Sequence, residues 1–271
     1  MLLFPNAKIN IGLNVIRKRK DGFHDLETLF YPIKLSDVLE FVPAEQFSLR
    51  NSGIVVDSSW EDNLVYKAYQ LLKEDFKLPE IEVQLHKIIP FGAGLGGGSS
   101  DAGLMLAGLN DFFNLSLSKE QLIQYASELG SDCAFFILNN PCMAAGRGEI
   151  LQPVDFSLKG WHLLLVKPDI HVNTKVAYEG VDPAEPNHRL QDLIELPVEE
   201  WEGKIINDFE RSVFPEFPGI AQIKDQLYEK GAVYSSMSGS GSSVFGLFRE
   251  KPEWSQEEFG EKAFVWYEEL K

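Results

Sequence analysis

Cysteine, basic charge and long apolar runs are all scarce in this chain, and each scarcity excludes something. Two cysteines, Cys133 and Cys142, in 271 residues cannot build a disulfide framework, and they stand in neither a CxxC spacing nor a Cys/His cluster of the kind that holds structural zinc. They fit a reducing cytosol. With 25 basic against 41 acidic residues the net charge is −16, which argues against nonspecific attraction to nucleic acid or anionic membrane. Any phosphate-bearing ligand must therefore find local positive potential. No apolar stretch approaches the roughly 18 residues of a membrane span, and the apolar start from Met1 to Pro5 is too short for a signal peptide. A soluble, cytoplasmic protein without membrane or nucleic-acid partners is expected. Internal repeats and low-complexity tracts are also lacking.

Glycine, by contrast, is concentrated in one place. Pro90, Phe91, Gly92, Ala93, Gly94, Leu95, Gly96, Gly97, Gly98, Ser99 and Ser100 form a glycine-dense turn that runs into an apolar, helix-compatible segment ending near Leu109. Before it, residues 81 to 89 alternate apolar and polar and then become wholly apolar, so the order is strand, loop, helix. Few side chains stand in the way, so backbone N–H groups can approach an anion closely at the positive end of a helix. Gly92, Gly94 and Gly97 match the dinucleotide pattern G-x-G-x-x-G, but the acidic strand end expected about 20 residues later is missing, and Ser118 to Gln121 reads as a capping box instead. The Walker pattern fails as well, because no lysine follows the glycines. The cation for a bound triphosphate has to come from elsewhere.

The rest of the chain supplies candidates. Ala7 to Val15 alternates without a break, placing Ala7, Ile9, Ile11, Leu13 and Val15 on a core face and Lys8, Asn10, Gly12 and Asn14 on the other, which is either solvated or used. Asp21-Gly22 is a hairpin signal after the basic run Arg17 to Lys20, which reads as a solvated turn. Asp62 or Asn63 is suited to cap a helix carrying Leu64, Ala68, Leu71 and Leu72. Asp132 directly precedes the apolar run Cys133 to Ile137, at the edge of the core, where a carboxylate has to be paired or used. Met143 to Glu149 with Gln152 and Pro153 reads as a loop-rich break. A domain boundary is placed near residue 155, giving residues 1–155 and 156–271. Tyr178 is either packed on the core or an exposed stacking platform, residues 181 to 203 read as a proline- and acid-rich surface excursion, and Met237 to Ser243 is a second small-residue loop between two strands.

Taken together, the strand Ala7 to Asn10, the loop Pro90 to Ser100 and the late loop Ser238 to Gly241 resemble the GHMP kinase family. Pro5 to Asn10, Asp21 to His24 with Glu27 to Phe30, Asp62 to Leu64 and Leu129 to Asp132 narrow the resemblance to its members that act on a diphosphocytidyl methylerythritol. The resemblance implies a two-domain α+β kinase with an ATP-binding N-terminal domain and the active site in the cleft between domains. It implies ATP and Mg²⁺, and transfer to the 2-hydroxyl of that small-molecule acceptor in non-mevalonate isoprenoid synthesis, by a monomer or weak homodimer. It also implies roles. Asp132 would be the general base with Lys8 its partner; Asn63 would read adenine, and Pro90 to Ser100 would wrap the phosphates. Asn10 and His24 would hydrogen-bond cytosine between the rings of Phe23 and Tyr178, with Thr174 nearby and Ser238, Gly239, Ser240 and Gly241 beside the substrate. No dedicated glutamate ligand for Mg²⁺ is identified; the Ser99 and Ser100 hydroxyls and ATP oxygens are candidates, and the metal site stays open. Cys133-Ala134 departs from the Val-Pro common in the family. A GHMP kinase for mevalonate, homoserine or a sugar, or a non-catalytic nucleotide sensor, is the alternative.

Overall fold

A computed structural model describes residues 1–54 and 59–271. The first half of the chain runs β1 (Leu2–Leu3), β2 (Asn6–Lys18), β3 (His24–Ser36), β4 (Val38–Pro43), β5 (Ser48–Gly53), α1 (Leu64–Phe76), β6 (Ile81–Lys87), α2 (Gly97–Phe112), α3 (Lys119–Leu129) and α4 (Cys133–Leu138). Then follow β7 (Cys142–Ala145), β8 (Ile150–Pro153), β9 (His162–Lys167), α5 (Thr174–Glu179), α6 (Leu190–Leu193), α7 (Glu210–Glu216), α8 (Pro218–Glu229), β10 (Tyr234–Met237), β11 (Val244–Phe248), α9 (Gln256–Phe259) and β12 (Phe264–Glu269).

Two compact units interleave along the chain. The first comprises Met1–Lys8, Pro32–Phe91 and Gly96–Asn140; the second comprises Ile9–Tyr31, Gly92–Leu95 and Pro141–Lys271. The expected boundary near residue 155 lies inside the last segment of the second unit. In the first unit β1, β4, β6 and β5 form a sheet in that order, antiparallel except for the β5–β6 pair. Leu39, Phe41, Val83 and Leu85 are buried, as are Val65, Ala68, Tyr69 and Leu72, the helical-spacing positions of α1. Each such side chain contributes about 1.5–3 kcal/mol on leaving water. Asn63 is the N-cap of α1, its side chain accepting from the Val65 N–H at 2.9 Å.

In the second unit β10, β11, β9 and β12 form an antiparallel sheet, and β2, β3, β7 and β8 form another. Ile220, Ile223 and Leu227 of α8 share one core with Leu164, Val166, Val244, Leu13 and Val15. The hairpin after the basic run turns at Gly22, whose N–H reaches the Arg19 carbonyl.

Of the two readings of the polar face of β2, solvated or used, burial excludes the first: Lys8, Asn10 and Asn14 are all buried, so both faces of the strand are covered and the polar side chains must be paired. Two expectations need correction. The segment read as a loop-rich break is the β7–β8 hairpin, with Cys142 opposite Pro153 and Ala145 opposite Ile150; the apolar flanks pair while the glycines 146 and 148 make the turn. Residues 181 to 203 are no simple surface excursion, since Leu190, Ile194, Val198 and Trp201 are buried. Counting prolines and acids hid an apolar residue every three to four positions.

Trp201 anchors that segment. Its indole N–H donates to the Leu196 carbonyl at 3.0 Å, and its ring meets Tyr234 edge-on at 5.4 Å. Trp201→Ala is expected to destabilise the protein by about 3–5 kcal/mol, measured by urea denaturation; a loss below about 1 kcal/mol would mean that the segment is not anchored there.

Candidate active site

In the first unit the chemistry gathers around the end of the glycine loop. Gly96 takes the cap position of α2, and the N–H groups of Gly97, Gly98 and Ser99 open the helix without intrahelical partners, at its positive end. A Cβ at Gly96 would lie 2.9 Å from the Phe136 ring and 3.3 Å from Cε of Lys8, so the backbone rests directly on both side chains. Lys8 Nζ lies 3.5 Å from Oδ2 of Asp132; the lysine side chain is 4% exposed and the aspartate 33%. Burial pushes the Lys8 pKa down, and the neighbouring Asp132 charge works against that fall. Asp132 stands at the N-terminus of α4, yet its carboxylate makes no cap bond there. A turn from Gly130, with the Cys133 N–H on the Gly130 carbonyl at 3.1 Å, brings it to that place. The Cys133 thiol is buried, pushed up to about 11 by that burial, with a hydrogen bond to Ser99 opposing the rise. This buried thiol is what this chain has at the family's usual valine position.

Asn63 has its side-chain oxygen committed to the cap, so a contact with a base would have to come from its amide nitrogen. Pro90 is buried and Phe91 is largely exposed. The Ser100 hydroxyl and Oδ1 of Asp101 are buried with no protein partner.

Sequence reasoning missed one group in this unit. Lys87 donates to Asp37 and, at 2.7 Å, to Asp101, and all three are buried; Asp37 also accepts from the N–H groups of Ile88 and Ile89. A Cβ at Gly97 would lie 3.4 Å from Lys87 Nζ, so this ammonium lies against the first turn of α2. The signal was available: Ile81, Val83, Leu85 and Lys87 share one face of β6, and a lysine in register with three buried aliphatic residues has to find carboxylates.

In the second unit Gly92, Ala93, Gly94 and Leu95 meet the loop between β10 and β11. Gly94 has φ 75°, and a Cβ there would sit 1.9 Å from the Ser238 carbonyl oxygen, so only glycine permits this backbone-on-backbone approach. The Ser238 hydroxyl donates to the Gly94 carbonyl at 2.9 Å and accepts from the Asn10 N–H at 3.1 Å. Asn10 in turn donates from its side chain to Thr28 at 3.0 Å. Gly239 and Gly241 give this loop its left-handed turns, and Ser240 meets Thr174, the first residue of α5, hydroxyl to hydroxyl at 3.1 Å. The rings are arranged otherwise than an open sandwich. His24 stacks on Tyr178 at 4.8 Å with a 20° interplanar angle, Phe209 meets Tyr178 edge-on at 4.7 Å, and Phe23, 53% exposed, lies under the Arg147 guanidinium at 4.9 Å. Burial, and then repulsion from Lys18, pushes the His24 pKa down, so a neutral imidazole with one donor and one acceptor persists to lower pH than usual. Asn207, discussed below, also went unpredicted.

Among the described residues no group of three His, Cys, Asp or Glu side chains could hold a metal ion, and no helix is long and apolar enough to cross a membrane.

Comparison with known proteins now bears on this geometry. The family model for the GHMP kinases N terminal domain matches residues 63–140, and that for GHMP kinases C terminal matches residues 188–261. A 4-diphosphocytidyl-2-C-methyl-D-erythritol kinase of Bacteroides fragilis is 53% identical over 275 aligned positions, covering 100% of both chains. One from Parabacteroides distasonis is 51% identical, again over 100% of both. A crystal structure of a 4-(cytidine 5'-diphospho)-2C-methyl-D-erythritol kinase superposes with a TM-score of 0.78 at 33% identity, covering 91% of this chain and 90% of that one.

The Lys87 cluster yields a stability test. Burial, with Asp37 adding repulsion and Lys87 opposing both, raises the Asp101 carboxyl to about 7. Between about pH 4 and about pH 7 the native state then holds a proton that the unfolded chain has released, so this group's contribution to stability falls as pH rises through that window. Asp101→Asn is expected to flatten that slope in urea denaturation at successive pH values; an unchanged slope would show that Asp101 does not titrate there. Lys87→Met, which leaves two carboxylates buried without their cation, is expected to lose about 3–5 kcal/mol.

Proposed function

The chain belongs to the GHMP kinase family, and on that premise we propose that it phosphorylates the 2-hydroxyl of 4-diphosphocytidyl-2-C-methyl-D-erythritol with ATP, in isoprenoid synthesis by the non-mevalonate route. That it is a small-molecule kinase follows from the full-length likeness; the acceptor is the proposal, and the identity of 53% over the whole of both chains carries it.

In this reading Asp132 is the general base. As the acceptor oxygen forms its bond to the γ-phosphorus and the bond to the ADP oxygen breaks, the hydroxyl proton passes to Asp132. A positioned carboxylate contributes about 10²- to 10⁴-fold to such a step. What supports the role is a carboxylate not spent on capping, one-third exposed to solvent, beside a buried ammonium at 3.5 Å. Lys8 stabilises the negative charge that develops on the acceptor oxygen, and the low exposure of its side chain strengthens that interaction. Gly92 to Ser100 would hold the phosphates through backbone N–H groups at the start of α2.

Mg²⁺ belongs to the proposal as well. Bound, it would neutralise phosphate charge, with phosphate oxygens and water among its ligands, as is common for magnesium. His24 and Tyr178 are proposed to face the cytosine, His24 by its ring nitrogens and Tyr178 by its ring, with Phe23, Thr174 and Asn10 contributing around them. Asn63 would serve the adenine from its amide nitrogen.

The test is ATP turnover with each acceptor offered separately. Turnover with the diphosphocytidyl compound alone is expected, and turnover with mevalonate, homoserine or galactose instead would discard the acceptor while keeping the family. Asp132→Asn is expected to fold, bind ATP and lose about 10²- to 10⁴-fold in kcat; near-normal turnover would remove Asp132 from the base role. For His24→Ala the expected outcome is a raised acceptor KM with little change in the KM for ATP, and an unchanged acceptor KM refutes the contact.

A further inference from the structure

Asn207 lies in no motif and the chemistry above does not use it, yet it is only 2% exposed and every polar atom of its side chain is bonded. Its backbone segment runs beside β2. The Leu13 N–H donates to the Ile206 carbonyl at 2.9 Å, the Asp208 N–H donates to the Leu13 carbonyl at 2.8 Å, and Leu13 and Asn207 form a parallel bridge. The side chain bonds elsewhere. Its Nδ2 donates to the carbonyls of Met237 at 2.7 Å and Gly239 at 2.8 Å, while Oδ1 accepts from the Phe209 N–H at 3.0 Å.

Met237 and Gly239 flank Ser238. One residue thus clamps the backbone on either side of the serine whose hydroxyl takes the Asn10 N–H and gives its proton to the Gly94 carbonyl. The bonds close a circuit: Asn10 to Ser238, Ser238 through its neighbours to Asn207, and Asn207 through Leu13 back to the same strand three residues from where it began. Gly239 and Gly241, with φ 56° and 90°, give the loop backbone freedom, which two bonds of its own, Ser238 N–H to the Ser243 carbonyl at 2.8 Å and Gly241 N–H to the Ser238 carbonyl at 3.0 Å, restrain in part and Asn207 restrains further. Only a carboxamide fits the three backbone partners, two carbonyls that need donors and one N–H that needs an acceptor.

We propose that Asn207 is a positioning residue for phosphoryl transfer: it holds the Ser238 hydroxyl where that one group fixes both the Asn10 backbone and the Gly94 carbonyl of the glycine loop. The word transfer rests on the function proposed above; the clamp itself does not. Asn207→Ala removes the donor to the Gly239 carbonyl and leaves the Met237 carbonyl only the longer, 3.4 Å bond from the Ser236 hydroxyl, and Asn207→Asp sets carboxylate oxygens against both carbonyls.

Three measurements on the full chain separate this from a merely structural role. Hydrogen–deuterium exchange in residues 238–243 is expected to quicken by about tenfold or more in Asn207→Ala, with α8 and β9 unchanged. ATP affinity by calorimetry is expected to fall about tenfold, and Ser238→Ala is expected to lose a similar amount. The double variant should be no weaker than the worse single one, because both changes break the same connection. Unchanged loop exchange, or fully additive losses, overturns the proposal. If Asn207→Ala does not fold, Asn207→Ser, which keeps a single donor, carries the same comparison. None of these readouts involves the acceptor, so a mistaken acceptor leaves the result on Asn207 intact, and turnover assays then report whether the clamp shows in kcat/KM.

Discussion

A loop made largely of glycine has almost no side chains with which to hold itself, so whatever fixes it must act on its backbone. This constraint governs the arrangement around residues 92 to 100. At Gly94 the chain passes so near the Ser238 carbonyl that a Cβ would lie at 1.9 Å, and at Gly96 it rests on Lys8 and Phe136. The absence of side chains that lets N–H groups approach an anion is the same absence that lets these neighbours close in. Substituting either glycine would fill the space into which these neighbours close.

The chain's acidity sets the second constraint. A protein of net charge −16 offers little positive potential at its surface, and what serves the loop is gathered in the interior. Lys8 and Lys87 are both buried, and each is kept with carboxylates: Asp132 for the first, Asp37 and Asp101 for the second. A buried ammonium without such partners would lose its proton or unfold the protein. The two pairings differ in a way that matters. Lys87 is enclosed on both sides by buried acids and braces the start of α2, whereas Asp132, paired with Lys8 but not spent on a helix cap, retains solvent contact.

Much of this was legible in the residues themselves. The alternation of Ala7 to Val15, the strand–loop–helix order from Ile81 to Leu109, the cap at Asn63 and the Ser118 capping box are local patterns, and local patterns determine local structure. The resemblance supplied the fold class and the pairing of Lys8 with Asp132. Where the reading went astray, the causes were of two kinds. In residues 181 to 203 an apolar residue every three to four positions was masked by prolines and acids, and what that stripe packs on, Tyr234 against the indole ring of Trp201 33 positions earlier, is nonlocal. Lys87 sat in plain view on an apolar face, and its meaning waited on Asp37, fifty residues away.

By itself, then, the sequence determined several of the strands and helices, where the glycine loop lies, that no lysine follows its glycines and to which family the chain belongs, because each of these follows from neighbouring residues or from motifs in line. Tertiary structure alone decided which polar side chains are spent and which remain. The Asn10 carboxamide is bonded to Thr28, His24 stacks on Tyr178, and Asn207 clamps a loop thirty residues further on. A hydrogen bond has a distance and a direction but no sequence separation, so the partner that satisfies a buried polar atom cannot be read from the residues beside it.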